Sequence, residues 1–123
     1  MKILVIEDHA EDLKLVDLVL RTAGHDVSTA ETAEQAIAAI QKDRPQLIFL
    51  DLDLPGMDGL ALVRKLKADP DMRDIHIVAV TCYAEQYPKV AALAAGCDAY
   101  ILKPINTREL SDQLTAVAEG GTP

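Results

Sequence analysis

Acidic residues follow two of the apolar runs in this sequence, at the point where each run ends. Glu7 and Asp8 come directly after KILVI, and Asp51 and Asp53 come within three residues of QLIFL. Carboxylates that lie close together repel one another, and a hard divalent cation is the usual remedy. Mg²⁺ takes one or two carboxylates, a carbonyl and several waters, and it tends to share its site with phosphate oxygens. If these four carboxylates meet in the fold, a magnesium site is expected.

A hydroxyl group and an ammonium group stand at the ends of two later apolar runs. Thr81 ends IHIVAVT and is followed by Cys82, and Lys103 and Pro104 follow AYIL. A carboxylate such as Asp51 can act as a nucleophile and become an aspartyl phosphate. Thr81 and Lys103, the latter expected at the rim of the site, would then bind the phosphoryl oxygens. The set predicts phosphoryl transfer onto a carboxylate.

The segments that position these residues alternate between short β-rich runs and longer stretches of helical period. A βα unit repeats five times, at roughly 24 residues each, a length suited to right-handed crossovers. We therefore predict an α/β fold, a (βα)5 doubly wound, three-layer domain with a five-stranded parallel sheet. The predicted strands are 2–6, 26–30, 46–50, 75–81 and 99–102, and the predicted helices are 10–23, 32–43, 60–68, 87–95 and 106–118.

Local signals mark several of the predicted helix starts. Thr32 with Gln35, and Asn106 with Glu109, have the spacing of a capping box. Asp58 stands before a glycine, where turn chemistry is the simplest explanation. These signals predict that the second helix begins after Thr32 and that the last begins after Asn106.

Ligands bind beyond the carboxyl ends of the strands in doubly wound sheets. The polar residues at four predicted strand ends should therefore converge at one edge of the sheet. Taken singly, Asp8 could cap a helix, Thr81 could be an ordinary strand residue, and Lys103 could be a solvated surface charge. Their joint placement at strand ends favours a functional site.

Composition excludes several classes of protein. The chain has 20 acidic and 12 basic residues, a formal charge of −8, and only one Phe, three Tyr and no Trp. Direct nucleic-acid binding needs clustered basic residues or stacking aromatics, so it is not expected. No apolar run approaches the roughly 20 residues that span a bilayer, and no signal peptide is recognisable, so we expect a cytoplasmic chain without membrane contact. Cys82 and Cys97 lack metal-ligand spacing and should be reduced thiols.

The chain resembles the receiver domain of two-component response regulators over nearly its whole length, about residues 2–118. The acidic pair after KILVI carries the resemblance, as does LIFLDLDLPGMDG, in which Asp51 begins the family pattern D-x-x-[LM]-P-x-x-D-G. VAVT, ending at Thr81, and AAGCDAYILKP, ending at Lys103–Pro104, complete it. The resemblance implies a flavodoxin-like three-layer sandwich with strand order 2-1-3-4-5.

The resemblance also implies a role for each residue of the site. Asp51 would be the phosphoacceptor, and Lys103 would pair with the phosphoryl oxygens. Thr81 and Tyr100 would form a switch pair, in which the hydroxyl moves toward the phosphoryl group and the ring changes rotamer. The Lys103–Pro104 bond would be cis. Mg²⁺ would be held by Asp8, Asp51 and the backbone carbonyl of Asp53, with Glu7 in support.

The implied function is that of a phosphoacceptor domain in a two-component system or phosphorelay. A histidine kinase or a histidine phosphotransfer protein would supply the phosphoryl group. The domain would not be an enzyme beyond catalysing its own phosphorylation and dephosphorylation. Residues 1–119 would form it, and 120–123 would be a flexible tail or the stub of a linker. The output would be a downstream protein effector or an output domain missing from this sequence.

Two alternatives come from other classes of protein. Asp51-x-Asp53 resembles the D-x-D motif of haloacid-dehalogenase-type phosphatases, although there the motif lies on the first strand, and Pro55 is foreign to it. A degenerate receiver could act only as a docking module, but the full set of Asp8, Asp51, Thr81 and Lys103 argues against it.

The output face is predicted from the fourth helix, fifth strand and fifth helix. It would be mixed in charge and would therefore contact protein. Cys82 stands where the family commonly has Ala or Ser, and Pro88 could stiffen a segment that usually moves. Asp53 and Tyr83 occupy positions that tune the lifetime of the phosphoryl group in the family, so the resemblance does not predict whether that lifetime is long or short here. The predicted face carries Tyr87, Lys89, Val90, Arg108 and Asp112.

Overall fold

The structure is a computed structural model that describes residues 1–120 of the 123-residue chain. Of the predicted tail, 121–123 lie outside the described residues. Five strands alternate with five helices along the chain. The strands are β1 Lys2–Ile6, β2 Asp26–Ala30, β3 Leu47–Asp51, β4 His76–Thr81 and β5 Ala99–Leu102. The helices are α1 Ala10–Thr22, α2 Ala33–Lys42, α3 Gly59–Ala68, α4 Lys89–Ala95 and α5 Leu110–Ala118.

The five strands form one parallel sheet in the order β2-β1-β3-β4-β5. This confirms the predicted fold and strand order. The chain crosses over between β1 and β3, which are neighbours although β2 lies between them in sequence. The register pairs Ile6 with Leu50 and Asp51 with Val80, so the ends of the three central strands lie side by side. That alignment brings the residues after β1, β3 and β4 to one edge.

The central strands are apolar on both faces, because helices cover both sides of the sheet. Alternate residues along each strand enter different hydrophobic clusters. Leu4 and Ile48 pack on one side with residues of α2, α3 and α4. Ile3 and Phe49 pack on the other side with residues of α1 and α5. The sheet is thus packed on both faces, and this packing positions the residues at its strand ends.

The capping box predicted at Thr32 forms in part, and the prediction of a second one at Asn106 was wrong. The Thr32 hydroxyl accepts a hydrogen bond from the Gln35 amide at 3.1 Å, as predicted, but the Gln35 side chain accepts from the amide before Thr32. At α5 the helix begins at Leu110, and Glu109 makes no side-chain cap. The Asn106 side chain instead accepts from the Arg108 amide at 3.1 Å, which makes a turn ahead of the helix.

Smaller boundary differences have simple causes. α4 begins at Lys89 rather than at residue 87, because Pro88 is its extended N-cap residue. β3 includes Asp51, whose predicted place was just beyond the strand. No helix among residues 1–120 is long and apolar enough to cross a membrane.

Candidate functional site

Three carboxylates meet where β1 and β3 end. Glu7, Asp8 and Asp51 each offer one oxygen atom, and these three atoms all lie within 4.8 Å of one another. Glu7 and Asp51 are buried, whereas Asp8 is partly exposed. All the donors are oxygen atoms, which are the ligands that Mg²⁺ prefers. The donor set therefore fits the predicted ion.

The segment after β3 is held in place by the start of α3. Asp58 caps that helix, since its carboxylate accepts from the Leu60 amide at 2.9 Å. The Gly59 amide donates to the Leu52 carbonyl at 3.2 Å, and a Cβ on Gly59 would lie only 2.5 Å from the Leu52 Cα. Only a glycine permits this close approach. The capped helix thus fixes the backbone directly after Asp51.

Lys103 reaches the carboxylates from the end of β5. Its Nζ lies 2.6 Å from Glu7 Oε1, 3.3 Å from Asp51 Oδ2 and 3.3 Å from Asp12 Oδ2. The Lys103 side chain is only 16% exposed, so it is more enclosed than the predicted rim position. The Lys103–Pro104 peptide bond is cis.

Asp12 was not predicted as part of the site. It lies in the first turn of α1, four residues after Asp8, and its carboxylate is 44% exposed. Because α1 begins soon after β1 ends, its first turn lies above the same edge of the sheet as Asp8. The spacing was the available signal, but an acidic first turn is also common in helices without a site.

The charges at this edge set unusual pKa values. Burial, together with the Asp51 carboxyl, raises the pKa of Glu7 to about 7, although the Lys103 ammonium opposes the shift. Burial also acts to raise the pKa of Asp51, but hydrogen bonds from Glu7 and the Asp53 amide, with the charge of Lys103, leave it below its usual value. For Lys103, burial is outweighed by its carboxylate neighbours, so its pKa is raised. Asp51 is therefore ionised and Lys103 charged at neutral pH.

Thr81 and Asp53 are joined by a hydrogen bond that the sequence did not predict. The Thr81 hydroxyl donates to Asp53 Oδ2 at 3.1 Å and accepts from the Tyr83 amide at 2.9 Å. The Asp53 amide in turn donates to Asp51 Oδ1 at 2.9 Å. Burial raises the pKa of Asp53, and the hydrogen bond from Thr81 opposes that shift. The hydroxyl is thus linked to the acidic cluster through Asp53.

Tyr100 lies on the same face of the sheet as Thr81. Thr81 pairs with Leu102, and Tyr100 stands two residues before Leu102, so its side chain points to the same side. The Tyr100 hydroxyl donates to the Tyr87 carbonyl in the segment between β4 and α4. The ring is partly buried against the core on the side of α2, α3 and α4.

The exposed face formed by α4, β5 and α5 is largely as predicted. Lys89, Val90, Arg108 and Asp112 are exposed, and Val90 reaches 79%. Tyr87 was wrongly placed on this face, because its side chain is only 8% exposed and packs into the core.

The acidic cluster opens to solvent through a cavity. Its volume is about 260 Å³, and most of the residues that line it carry a charged or polar group. A phosphoryl group could enter there and contact both the carboxylates and the ammonium. The lining residues are Asp8, His9, Asp12, Asp51, Asp53, Cys82, Tyr83 and Lys103.

Comparison with known proteins agrees with this geometry. A family model described as the response regulator receiver domain matches residues 3–115. The chain belongs to the response regulator receiver domain family. It is therefore a receiver domain of two-component signal transduction, with the CheY-like fold of its structural neighbours.

Individual relatives support the same assignment. The receiver domain is 40% identical over 115 residues to the phosphate regulon transcriptional regulatory protein PhoB of Pseudomonas aeruginosa, covering 94% of this chain and 50% of that protein. The chain thus spans about half the length of this curated relative. A CheY-like receiver domain protein of Methanospirillum hungatei is 33% identical, with a TM-score of 0.85 and coverage of 97% of this chain and 94% of that one. CheY4 of Vibrio cholerae is 28% identical, with a TM-score of 0.86 and coverage of 94% and 97%.

Proposed function

We propose that this receiver domain accepts a phosphoryl group on Asp51 from the phosphohistidine of a histidine kinase or a histidine phosphotransfer protein. The observation that carries the proposal is a buried Asp51 carboxyl group that lies beside two further acidic side chains and 3.3 Å from the Lys103 ammonium. A carboxylate oxygen of Asp51 attacks phosphorus and forms the new P–O bond. The P–N bond of the donor breaks, and its electron pair returns to the imidazole.

The proposed Mg²⁺ ligands are Asp8, Asp51 and the backbone carbonyl of Asp53, with Glu7 in support. Bound there, the ion would offset the repulsion among the carboxylates and the charge of the incoming phosphoryl group. Glu7 keeps the Lys103 ammonium in position through the 2.6 Å contact. The backbone amides of residues 8 and 9 donate to the other Glu7 oxygen at 3.1 and 3.4 Å, so this carboxylate is held from both sides.

Lys103 and Thr81 act on the phosphoryl oxygens in this proposal. Lys103 supplies positive charge to the transferring group from a preorganised position. The Thr81 hydroxyl turns toward a phosphoryl oxygen once Asp51 is modified, and Tyr100 then changes rotamer. A phosphoryl group shifts such a two-state element only by its differential interaction with the two states. The readout is the exposed face of α4, β5 and α5, which would dock a protein effector.

The other partners and properties are proposed on the same basis. A relative of about twice this length is by name a transcriptional regulatory protein. We therefore propose that the output is either a protein effector that docks on the face of α4, β5 and α5 or an output domain beyond this sequence. The receiver would catalyse only its own phosphorylation and dephosphorylation, and it would act in the cytoplasm. The family match leaves the haloacid-dehalogenase alternative without support, and the retained Asp51, Thr81 and Lys103 argue against a degenerate docking module.

Acetyl phosphate tests the acceptor directly. Incubation with acetyl phosphate and Mg²⁺ should add one phosphoryl group to the wild-type protein, measured as intact mass. Asp51→Asn should abolish the addition, and EDTA should suppress it in the wild type. Asp43→Asn, a carboxylate at the opposite edge of the sheet that pairs with Lys2, is the matched control and should be modified normally. A mass shift that survives Asp51→Asn would overturn the assignment.

A further inference from the structure

The side chain of Asp53 makes a contact that its proposed backbone role does not require. Its Oδ2 accepts the Thr81 hydroxyl at 3.1 Å, while the metal role uses only the Asp53 carbonyl. Thr81 is fully buried, so its hydroxyl has little access to water as a substitute partner. In the described structure, the orientation of this hydroxyl therefore depends on Asp53.

The same hydroxyl also holds the segment between β4 and α4. It accepts from the Tyr83 amide at 2.9 Å. Four residues on, the Tyr87 amide donates to the Tyr83 carbonyl at 2.9 Å, and the Tyr87 carbonyl accepts from the Tyr100 hydroxyl. Hydrogen bonds thus connect Asp53 to Thr81, and then, through the backbone of the segment from Tyr83 to Tyr87, connect Thr81 to Tyr100.

A phosphoryl group on Asp51 would compete with Asp53 for Thr81. The hydroxyl has one proton, which it can donate to the Asp53 carboxylate or to a phosphoryl oxygen, but not to both. The Asp53 amide already donates to Asp51 Oδ1, and burial and the Asp51 carboxylate both act to raise the pKa of Asp53, so the two acidic groups interact. Negative charge gained at Asp51 would repel the Asp53 carboxylate and weaken its hold on the hydroxyl.

We infer that the Asp53 carboxylate is a positioning group that holds the Thr81 hydroxyl, and through it the segment from Tyr83 to Tyr87, in the unphosphorylated arrangement. Phosphorylation of Asp51 displaces this hold before the switch can respond. The inference rests on the proposed function for its second step. Its first step concerns the unphosphorylated protein alone.

The test compares two substitutions by NMR in the unphosphorylated protein. Asp53→Ala removes the acceptor, whereas Asp53→Asn keeps an acceptor oxygen without the charge. Asp53→Ala should change the Thr81 χ1 couplings and shift the Tyr83 amide and Tyr100 ring signals toward their positions in beryllofluoride-treated wild type. Loss of one hydrogen bond corresponds to about a fivefold rise in the ratio of released to held hydroxyl. Asp53→Asn should keep the wild-type couplings.

Controls separate this hold from general loosening and from failure of the proposed function. Asp74→Ala, an exposed aspartate in the connection before β4, should leave all three signals unchanged. Urea unfolding should show that Asp53→Ala remains folded. If Thr81 couplings are the same in wild type and Asp53→Ala, the inference is wrong, whatever acetyl phosphate does. If the couplings change but wild type gains no phosphoryl mass, the proposed function and the displacement step both fail.

Discussion

The amino ends and the carboxyl ends of the parallel strands form two opposite edges of the sheet, here called the amino edge and the carboxyl edge. They carry similar charged residues in opposite environments. At the amino edge, Lys2 and Asp43 form an ion pair of 2.7 Å whose side chains are 49% and 54% exposed. At the carboxyl edge, Glu7 and Asp51 are 1% and 4% exposed, and both contact the same ammonium. The amino edge holds a solvent-exposed ion pair. The other encloses more carboxylates than its single lysine can neutralise.

This difference separates a structural edge from a functional one. Exposed pairs contribute little free energy and cost little to form. Burying an excess of negative charge is costly, and such clusters concentrate at functional sites, where perturbed pKa values are useful. The excess of carboxylates at the carboxyl edge therefore suits a cation, whereas the charges at the amino edge already pair with each other.

The largest contrast we predict between the edges is in thiol reactivity. Cys82 follows β4 at the carboxyl edge and is exposed, whereas Cys97 precedes β5 at the amino edge and is buried. Burial, with a smaller contribution from Asp98, raises the pKa of Cys97 to about 12, so its thiol is both shielded and protonated. Reaction at Cys97 should require local opening; an opening cost of about 4 kcal/mol slows it about 10³-fold relative to Cys82.

A thiol reagent with a coloured leaving group measures the two rates. Wild type should show one fast and one very slow equivalent, and Cys82→Ser should remove only the fast one. In urea both cysteines should react at once. Comparable rates for the two thiols in native buffer would mean that the amino edge near β5 is far more open than its packing indicates.

A second contrast concerns the two lysines. Lys103→Ala removes the ammonium that pairs with Asp51 and that, in the proposed function, would face the transferring phosphoryl group, while Lys2→Ala removes an exposed partner of Asp43. We expect Lys103→Ala to fold but to take up phosphoryl groups from acetyl phosphate about 10²-fold more slowly. Lys2→Ala is the matched control and should keep the wild-type rate. Equal rates for wild type and Lys103→Ala would assign no electrostatic role to the ammonium.

The fold was more predictable than the details of the site. Apolar runs separated by helical periods specify a doubly wound sheet, because only parallel strands covered on both faces suit continuous runs such as LIFL. Strand ends then place Glu7, Asp51 and Lys103 at one edge with no further information. The Thr81–Asp53 hydrogen bond could not be foreseen, because it depends on side-chain rotamers at the end of β4 and in the loop after β3.

Helix starts show the same limit on a smaller scale. The capping-box spacing was informative at Thr32 and misleading at Asn106, where the side chain closes a turn instead. Thr and Asn side chains can each cap a helix or close a turn, so the spacing alone does not decide between the two roles. Asp12 was missed because an acidic first turn also serves an ordinary helix.

The smallest effect we predict is a pH-dependent stability difference for Glu7→Gln, measured by urea unfolding in EDTA. The pKa of Glu7 is raised in the folded protein from 4.5 to about 7, chiefly by burial, so the folded state binds more protons in that window. Its contribution to stability is therefore fully present below about pH 4.5 and is lost as pH rises through about 7. Glutamine does not titrate, so Glu7→Gln should gain about 1–2 kcal/mol relative to wild type between pH 5 and pH 8. Glu109→Gln makes the same change on an exposed side chain and is the control. Any change in stability that it shows is not caused by burial of the carboxylate. If the unfolding free energy of Glu7→Gln has the same pH dependence as that of wild type, burial at the carboxyl edge does not perturb Glu7. The contrast between the two edges would then be wrong.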